Sequence, residues 1–443
     1  MSFLEILQDQ NPWWTDGATR RARRFGVRRD LQPRILAQVQ RLSDRRAVVV
    51  LGPRQVGKTV ALLQVADDLL AAGWPPQNLT YFDFSDHRIV QPLTPREVVD
   101  AKAVGSDRDH PRALLLDEVG RAGAWDRWLK QAVDAGGHRI VVTDSAATLL
   151  RQGGRESGQG RWDEFLIEGL SFAEFVRLHG ARTESVDEAL RRFPNVLERF
   201  LALGGFPEHA LSDDFPEARA RIRSDIVDRA ILRDLSPLAL DVRRARDLFV
   251  YLVQDSGAEF TAEARGSDLA ADPRTVRVWK DLLTETLLLA ELERSTRQPS
   301  ARIRSKVKIF AADHGLVQAF ALSRREERLR ARVFEAAVFR HLREVVQQLG
   351  GALTYFRSPA GEELDFVVEL NDAVVGIEVT SSGRRRPEKL AEVERAGKAL
   401  GADRLLLVHG GSVEEPERQS GARPISLTRF LLDTASVIQG EQR

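Results

Sequence analysis

The sequence has 443 residues, of which 43% are hydrophobic, so it is long enough for about three ordinary domains with cores of their own. Lys and Arg number 66 against 65 Asp and Glu, and this near-zero net charge of +1 neither favours nor excludes a nucleic-acid partner. The chain has 0 cysteines, which excludes disulfides, thiolate zinc sites and a cysteine nucleophile, and fits a reducing compartment.

The amino terminus, MSFLEILQDQNPWW, lacks the basic and apolar regions of a secretory leader. No stretch approaches the ~18 uninterrupted apolar residues that a membrane span needs. We therefore expect a cytoplasmic protein without membrane association. The arginine-rich residues 1–33 are predicted to form a basic arm, either a solvated or flexible segment or a contact with nucleic acid or a partner.

Residues 34–168 alternate short apolar runs with helical periodicity. The runs AVVVL, LTYFDF, ALLLDEV and HRIVVTDSA are predicted strands, and TVALLQVADDLLAAG is a predicted helix that ends before Pro75 and Pro76. Strands that alternate with helices predict an α/β fold with a parallel sheet and right-handed crossovers.

The segment LGPRQVGKT lies between the first predicted strand and the following helix. This order and the Gly-x₄-Gly-Lys-Thr spacing predict a P-loop, in which backbone N–H groups and a helix N-terminus cradle phosphates, Lys58 spans the β- and γ-phosphates and the Thr59 hydroxyl ligates Mg²⁺. The predicted ATP contacts are Gly52, Pro53, Arg54, Gln55, Val56, Gly57, Lys58, Thr59 and Val60.

A carboxylate pair follows the predicted strand LLLDE. Asp117 is expected in the magnesium shell, and Glu118 is expected to polarise the attacking water. A coincidental turn and a solvated strand end would each explain one motif, but both motifs in this order favour a nucleotide site. Thr143 and Ser145 are either γ-phosphate sensors or a simple turn and cap.

An arginine finger from the same or another chain could complete hydrolysis. Arg161, Arg229 and Arg233 are the candidates, although in a chain this rich in arginine each is more often a surface residue.

Residues 34–407 resemble prokaryotic AAA-type ATPases of the archaeal-ATPase-like group. The resemblance rests on GPRQVGKT, LLLDEV, VTDSAATLL, GLSFAEF, GGFPE and DIVDRAILRDL. It implies an ATPase core over residues 34–168, a helical lid over 169–243, a winged-helix module over 244–312 and a restriction-endonuclease-like α/β domain over 313–443. One departure is Asp144, where such proteins more often have glycine.

The winged helix has support of its own from SDLAADPRTVRVWKDLLTETLLLAEL, which predicts helix, turn and helix with Asp272 and Pro273 at the turn. Arg274, Arg277 and Lys280 on the second helix suit phosphate contact. The alternative is a module that only ties the two α/β domains together, since no base-reading set stands out.

The carboxyl-terminal segment resembles the PD-(D/E)xK nuclease core. Glu335, Asp365 and Glu378 stand at its carboxylate positions and could hold a second Mg²⁺. Thr380 occupies the lysine position, so the resemblance implies a weak or inactive nuclease, unless Lys389 reaches in from the following helix.

Three functions remain open at this point. The favoured one is an ATPase whose Mg-ATP cycle is a conformational switch controlling engagement of double-stranded DNA or a protein partner. The others are an ATP-regulated, metal-dependent DNA nuclease and a non-hydrolysing, nucleotide-stabilised binding module. AAA-type ATPases often assemble as rings, so a homo-oligomer is compatible with all three.

Overall fold

The computed structural model describes residues 2–16, 27–41, 46–101, 110–144, 160–180, 186–235, 241–296, 306–322, 326–371, 373–382, 387–411 and 421–440. They belong to two compact units, Met1–Ile167 and Glu168–Arg443. None of the helices in these ranges is long and apolar enough to cross a membrane.

The first unit is a parallel α/β sheet. Its elements are α1 (Phe3–Gln10), α2 (Trp13–Asp16), α3 (Gln32–Gln40), β1 (Ala47–Leu51), α4 (Lys58–Ala71), β2 (Leu79–Asp83), α5 (Pro95–Ala101), β3 (Arg112–Asp117), α6 (Trp125–Ala135), β4 (His138–Asp144) and β5 (Trp162–Leu166). The strand order is β2-β3-β4-β1-β5, and every pairing is parallel. The central strands are buried on both faces, which accounts for their continuous Val and Leu runs.

The segment ahead of α3 is part of this unit. Asn11 donates its side-chain amide to the Tyr81 carbonyl and accepts from the Tyr81 N–H, both at 2.7 Å. The indole N–H groups of Trp13 and Trp14 donate to the Leu79 carbonyl. Because β2 is an edge strand, these bonds satisfy its outer backbone groups.

The prediction of a solvated or flexible arm is therefore wrong for residues 3–16, because it weighed the arginines and not the two tryptophans. Arg28 and Arg29 are also docked on the unit. Arg28 forms an ion pair with Asp68, whereas Arg29 is buried. Residues 20–24, which hold most of the arginines of the run, lie outside the described ranges.

The second unit begins with helices. They are α7 (Phe172–His179), α8 (Val186–Arg192), α9 (Val196–Leu203), α10 (Phe215–Arg221) and α11 (Arg229–Leu235), with a π-helical turn at Ile222–Asp228. These helices fill the range expected for a lid. They pack inside the second unit, where the Phe172 N–H donates to His341 Nε2 at 3.0 Å.

The GGFPE segment follows α9 and makes an unusually close backbone approach. The Gly205 N–H donates to the Asp313 carboxylate, and the Leu170 N–H donates to the Gly205 carbonyl. A Cβ on Gly204, whose φ is +79°, would lie 2.2 Å from Asp313 Oδ1, and one on Gly205 would lie 2.6 Å from the Leu170 carbonyl oxygen. The two glycines are required by this packing.

A small module follows, in the order helix, strand, helix, helix, strand, strand. Its elements are α12 (Val242–Gln254), β6 (Ala258–Glu259), α13 (Ala262–Leu269), α14 (Pro273–Glu285), β7 (Leu289–Leu292) and β8 (Lys308–Ala311). The three strands form an antiparallel sheet in the order β6-β8-β7. Asp272 caps α14 by accepting from the Arg274 N–H at 2.7 Å.

The rest of the chain is a second α/β layer. Its elements are α15 (His314–Ala319), α16 (Glu326–Leu349), β9 (Ala352–Arg357), β10 (Glu363–Leu370), β11 (Ala373–Thr380), α17 (Pro387–Leu400), β12 (Arg404–His409), β13 (Arg423–Ser426), α18 (Leu427–Leu432) and α19 (Thr434–Gln439). The strand order is β13-β12-β11-β10-β9. Strands β9, β10 and β11 are antiparallel, and β12 and β13 continue in parallel.

Candidate functional site

The loop between β1 and α4 has the geometry of a phosphate cradle. A Cβ on Gly52 would lie 2.2 Å from the Ile167 carbonyl oxygen, and Gly57 has a φ of +93°, so both positions require glycine. The loop leads into the amino terminus of the 14-residue helix α4, where the first backbone N–H groups have no intrahelical acceptor. Thr59 and Val60 lie in the first turn of that helix.

Lys58 folds back over this loop. Its ammonium donates to the carbonyls of Gly52 and Pro53 at 3.0 and 2.9 Å, and it lies 3.8 Å from Glu118 Oε1. The side chain is almost fully buried. Its charge therefore lies between the loop and the end of β3.

Asp117 is held rigidly at the carboxyl end of β3. Its Oδ1 accepts from the Thr143 hydroxyl, and its Oδ2 accepts from the Tyr81 hydroxyl at 3.1 Å. Burial and the Asp117 charge raise the pKa of Tyr81 well above 10, so the phenol keeps its proton and can donate it. Strands on both sides of β3 thus supply donors to this buried carboxylate.

Thr143 also fixes the neighbouring residue. Its hydroxyl accepts from the Glu118 N–H at 3.0 Å while donating to Asp117. Glu118 adopts a left-handed backbone conformation with φ +51°, which is uncommon for a residue with a side chain. Thr143 therefore ties β4 to the Asp117–Glu118 turn, and its role as a γ-phosphate sensor, one of the two alternatives from the sequence, stays a prediction.

The residues present fit a nucleoside triphosphate with magnesium. The cradle offers backbone N–H groups, and in its bend the buried Gln55 Oε1 has no hydrogen-bond partner among the described residues. Lys58 supplies a cation, while Asp117 and the Thr59 hydroxyl are the oxygen ligands that Mg²⁺ prefers. Bound magnesium would neutralise phosphate charge, and a carboxylate such as Glu118, 3.8 Å from Lys58 Nζ, would be able to accept a proton from water.

The remaining predicted residues are scattered. Arg161 stands at the amino end of β5, about 16 Å along that strand from the loop edge of the sheet, and pairs with Asp134. This position is incompatible with contact to a phosphate on the same chain. Arg229, the first residue of α11, pairs with Asp225 in the preceding π-helical turn. Ser145 and the side chain of Arg233 lie outside the described parts of the structure.

Arg29 is a residue at the loop that the sequence analysis missed. Its guanidinium donates to the Val56 carbonyl, and a Cβ on Gly57 would lie 3.3 Å from its Nη1. The Arg29 N–H is held by the Gln64 side chain on α4. Its position in a run of arginines gave no indication that this one is buried.

A second polar pocket, of about 600 Å³, lies in the carboxyl-terminal unit. We call it the carboxylate pocket. Glu335 of α16, Asp365 of β10 and Glu378 of β11 line it, together with Glu363. The backbone amides of residues 365 and 379 bridge the strands, since Asp365 N–H donates to Glu378 Oε2 and Val379 N–H donates to Asp365 Oδ2. The structure thus brings together the three carboxylates that the sequence singled out.

The carboxylate pocket also contains two lysines. Lys389 reaches in from α17 and lies 2.6 Å from Glu378 Oε1, as the sequence analysis considered. Lys308 enters from β8, which no sequence pattern indicated, and lies 2.6 Å from Glu363 Oε1. Among the described residues, no three Asp, Glu, His or Cys side chains are already close enough together to hold a metal ion.

Electrostatics in the carboxylate pocket are strongly perturbed. Burial, reinforced by Asp365, raises the pKa of Glu335 and of Glu378 to about 8. Glu335 takes no hydrogen bond or ion pair from the described residues, while Glu378 is paired with Lys389. Perturbed carboxylates in a cleft are typical of functional sites, although ion-pair networks produce them too.

Three parts of the chain match models of known families. Residues 44–176 match an AAA domain, and residues 195–327 and 330–430 match two domains of unknown function, DUF8612 and DUF4143. The first match covers the parallel sheet and its phosphate cradle, so this part of the chain is similar to an AAA domain.

Similar proteins include an uncharacterised protein of Haemophilus influenzae, 22% identical over 378 residues, which are 83% of this chain and 90% of that protein. An uncharacterised protein of Methanocaldococcus jannaschii is 25% identical over 199 residues, 44% of this chain and 43% of that protein, so the match spans less than half of either.

Among solved structures, the ORC2 protein of Aeropyrum pernix in ADPNP and ADP complexes is 13% identical. The alignment covers 69% of this chain and 92% of that one, with a TM-score of 0.34. The replication initiator DnaA, bound to AMPPCP and single-stranded DNA, is 15% identical with a TM-score of 0.28 over 58% and 88% of the two chains. Scores this low assign no function.

Proposed function

We propose that the first unit binds and hydrolyses Mg-ATP. The observation that carries this proposal is the joint placement of Lys58, Asp117 and Glu118 at one edge of the sheet, with Thr143 fixing the two acids. Carbonyls of the loop hold Lys58, and hydroxyls from β2 and β4 hold Asp117. A coincidental glycine turn would have no reason to be faced by such a pair of acids.

The nucleotide cycle is a conformational switch that controls how the rest of the chain engages double-stranded DNA or a protein partner. The helix and strand order of residues 242–311 supports the winged-helix interpretation. Fewer of the three basic residues on α14 are available to contact DNA than the sequence suggested. Arg274 is exposed, but Arg277 pairs with Glu263, and Lys280 is buried against Glu291.

The first experiment is ATP turnover by the purified chain with and without double-stranded DNA, using Lys58→Ala as the blank. Turnover that rises with DNA makes nucleic acid the working partner, and turnover indifferent to DNA favours a protein partner. Nucleotide that is bound and never hydrolysed under either condition would overturn the switch in favour of a nucleotide-stabilised binding module.

A second candidate function is metal-dependent cleavage of DNA at the carboxylate pocket. The specific observation is Lys389 beside Glu378, because Thr380 leaves the usual lysine position without a cation and Lys389 supplies one from the next helix. The three antiparallel strands, the crossover helix α17 and the parallel strands beyond it also support the nuclease-like interpretation. Carboxylates would hold Mg²⁺, and the ammonium would stabilise charge on a phosphate.

Cleavage of plasmid with Mg²⁺ or Mn²⁺ and ATP tests this candidate. Lys389→Met should reduce cutting strongly, and Lys398→Met on the same helix serves as the control. Intact plasmid under all of these conditions would count against the nuclease and leave the ATPase proposal unaffected.

A further inference from the structure

Lys308 is the residue in the carboxylate pocket that the nuclease pattern does not account for. It comes from β8 of the small sheet, whereas the carboxylates come from α16, β10 and β11. Its side chain is only 8% exposed, and its ammonium lies 2.6 Å from Glu363 Oε1 and 4.8 Å from the centre of the Tyr355 ring. A lysine is rarely buried to this degree unless it is paired.

The charge of Lys308 is directed at more than one acid. Burial by itself would lower the pKa of Lys308, but the charges of Asp365, Glu363 and Glu335 outweigh that effect and raise it above 10.5. The ammonium is therefore fully charged at neutral pH. It favours the ionised forms of Asp365 and Glu335, which burial disfavours.

The small sheet and the carboxyl-terminal sheet are joined, so this lysine is held in place. The Tyr355 N–H donates to the Glu293 carbonyl at 2.9 Å, and the Ser295 N–H donates to the Tyr355 carbonyl at 2.7 Å. The Tyr355 hydroxyl donates to the Lys306 carbonyl at 2.9 Å, two residues before Lys308. These bonds fix β8 against the rim of the pocket.

We propose that Lys308 is a tethered counter-ion that a divalent cation must displace from Asp365 and Glu335, so that the small sheet sets the metal affinity of the carboxylate pocket. The inference rests on the second candidate function, since it concerns the same pocket. This role explains why lysine ammonium groups lie among the carboxylates of the pocket, and why no three described acids are already close enough together to bind a metal ion. Any movement of β8 away from the rim would raise the affinity of the pocket for the cation.

The test is Mn²⁺ binding to the full chain without nucleotide, measured by calorimetry and by electron paramagnetic resonance. Lys308→Met removes the charge and keeps the apolar stem, and we expect Mn²⁺ to bind about tenfold more tightly or better. Lys308→Arg keeps the charge and should bind like the unaltered protein. Lys306→Met, which removes an exposed lysine two residues away, is the matched control and should change affinity less than about twofold.

Asp365→Asn separates the two ways in which the idea could fail. If this change abolishes Mn²⁺ binding while Lys308→Met leaves the affinity unaltered or weaker, the pocket binds metal and the counter-ion role is wrong. If Asp365→Asn leaves Mn²⁺ binding unaltered in the unmodified and Lys308→Met backgrounds, the pocket holds no metal, and the second candidate function falls together with this inference. Lys308→Gln replaces the Met variant if circular dichroism shows that the latter does not fold.

Discussion

Glu118 is the residue whose change separates binding from turnover. Its carboxylate lies 3.8 Å from Lys58 Nζ at the edge of the nucleotide cradle, and the Gly52 and Pro53 carbonyls also hold that ammonium. Glu118→Gln should therefore bind ATP with near-normal affinity, while kcat falls roughly 100-fold or more, the usual contribution of a general base.

Steady-state turnover and calorimetric ATP binding measure the two effects separately, and Glu164→Gln on the exposed side of β5 is the control. Unchanged turnover in Glu118→Gln would remove Glu118 from the mechanism. Loss of both binding and turnover would instead indicate that the carboxylate holds the loop together.

Thr143 offers a test of positioning at the same site. Thr143→Val keeps the buried shape but removes the hydroxyl that accepts from the Glu118 N–H and donates to Asp117 Oδ1, while the Tyr81 hydroxyl still donates to Asp117 Oδ2. We expect a loss of about 1–3 kcal/mol in unfolding free energy and a fall in kcat, because the Asp117–Glu118 turn is no longer tied to β4. Thr143→Ser retains the hydroxyl and should recover most of both.

Urea unfolding and turnover of the two variants give the comparison directly. A Thr143→Val protein as stable and as active as the original would show that the hydroxyl bonds are incidental. A protein with normal stability but a changed dependence on ATP concentration would support the sensor interpretation.

Spacing along the chain was enough to find the residues of the cradle. Gly52, Gly57 and Lys58 stand in a motif of fixed length, and the acid pair directly follows an apolar run, so the local order predicts the chemistry. Tyr81, Arg29 and Lys308 could not be found in this way. Each of these residues contacts its site from a different helix, strand or loop, and the residues beside it in the sequence do not indicate that contact.

At the scale of elements, the GGFPE segment connects three parts of the second unit. Asp313 caps α15 and accepts from the Gly205 N–H, and Gly205 receives the Leu170 N–H. Gly205→Ala places a Cβ 2.6 Å from the Leu170 carbonyl oxygen, a distance that forces the backbone apart. We expect a loss of about 2 kcal/mol or more in unfolding free energy.

Gly123→Ala, in the first unit, controls for the effect of a glycine-to-alanine change without a close approach, because its added Cβ would have only an ordinary contact at 3.7 Å with Thr94. Thermal unfolding monitored by circular dichroism compares the two. If Gly205→Ala is as stable as Gly123→Ala, the close approach is not what requires glycine in this segment.

Periodicity in the sequence predicts whether a segment is a helix or a strand, but it does not predict which other elements that segment packs against. The alternation of apolar runs and helices predicts the first sheet because both faces of a parallel strand are covered. From the sequence, the amino-terminal helices were assigned to a basic arm. Their packing was missed because the hydrogen bonds of Asn11, Trp13 and Trp14 are made to β2, which is distant in sequence. The helices of residues 172–235 are helical as predicted, but their contacts within the second unit depend on residues more than 100 positions away.

At the scale of the whole molecule, the two compact units should unfold in separable steps. Six of the 7 tryptophans, at positions 13, 14, 74, 125, 128 and 162, lie in the first unit, and Trp279 lies in the second. Tryptophan fluorescence therefore follows mainly the first unit, while far-ultraviolet circular dichroism follows both. The variant Trp279→Phe makes the fluorescence specific to the first unit.

Mg-ATP at about 100 times its Kd should stabilise the first unit by about 2.7 kcal/mol and raise its midpoint, and Lys58→Ala should abolish the rise. A switch requires more than this, because nucleotide must change the free energy of the part it controls. We therefore expect the second transition to move with ATP in the unaltered chain and to stay fixed in Lys58→Ala. A second transition that ignores ATP while the first responds would leave ATP binding in place and contradict the switch.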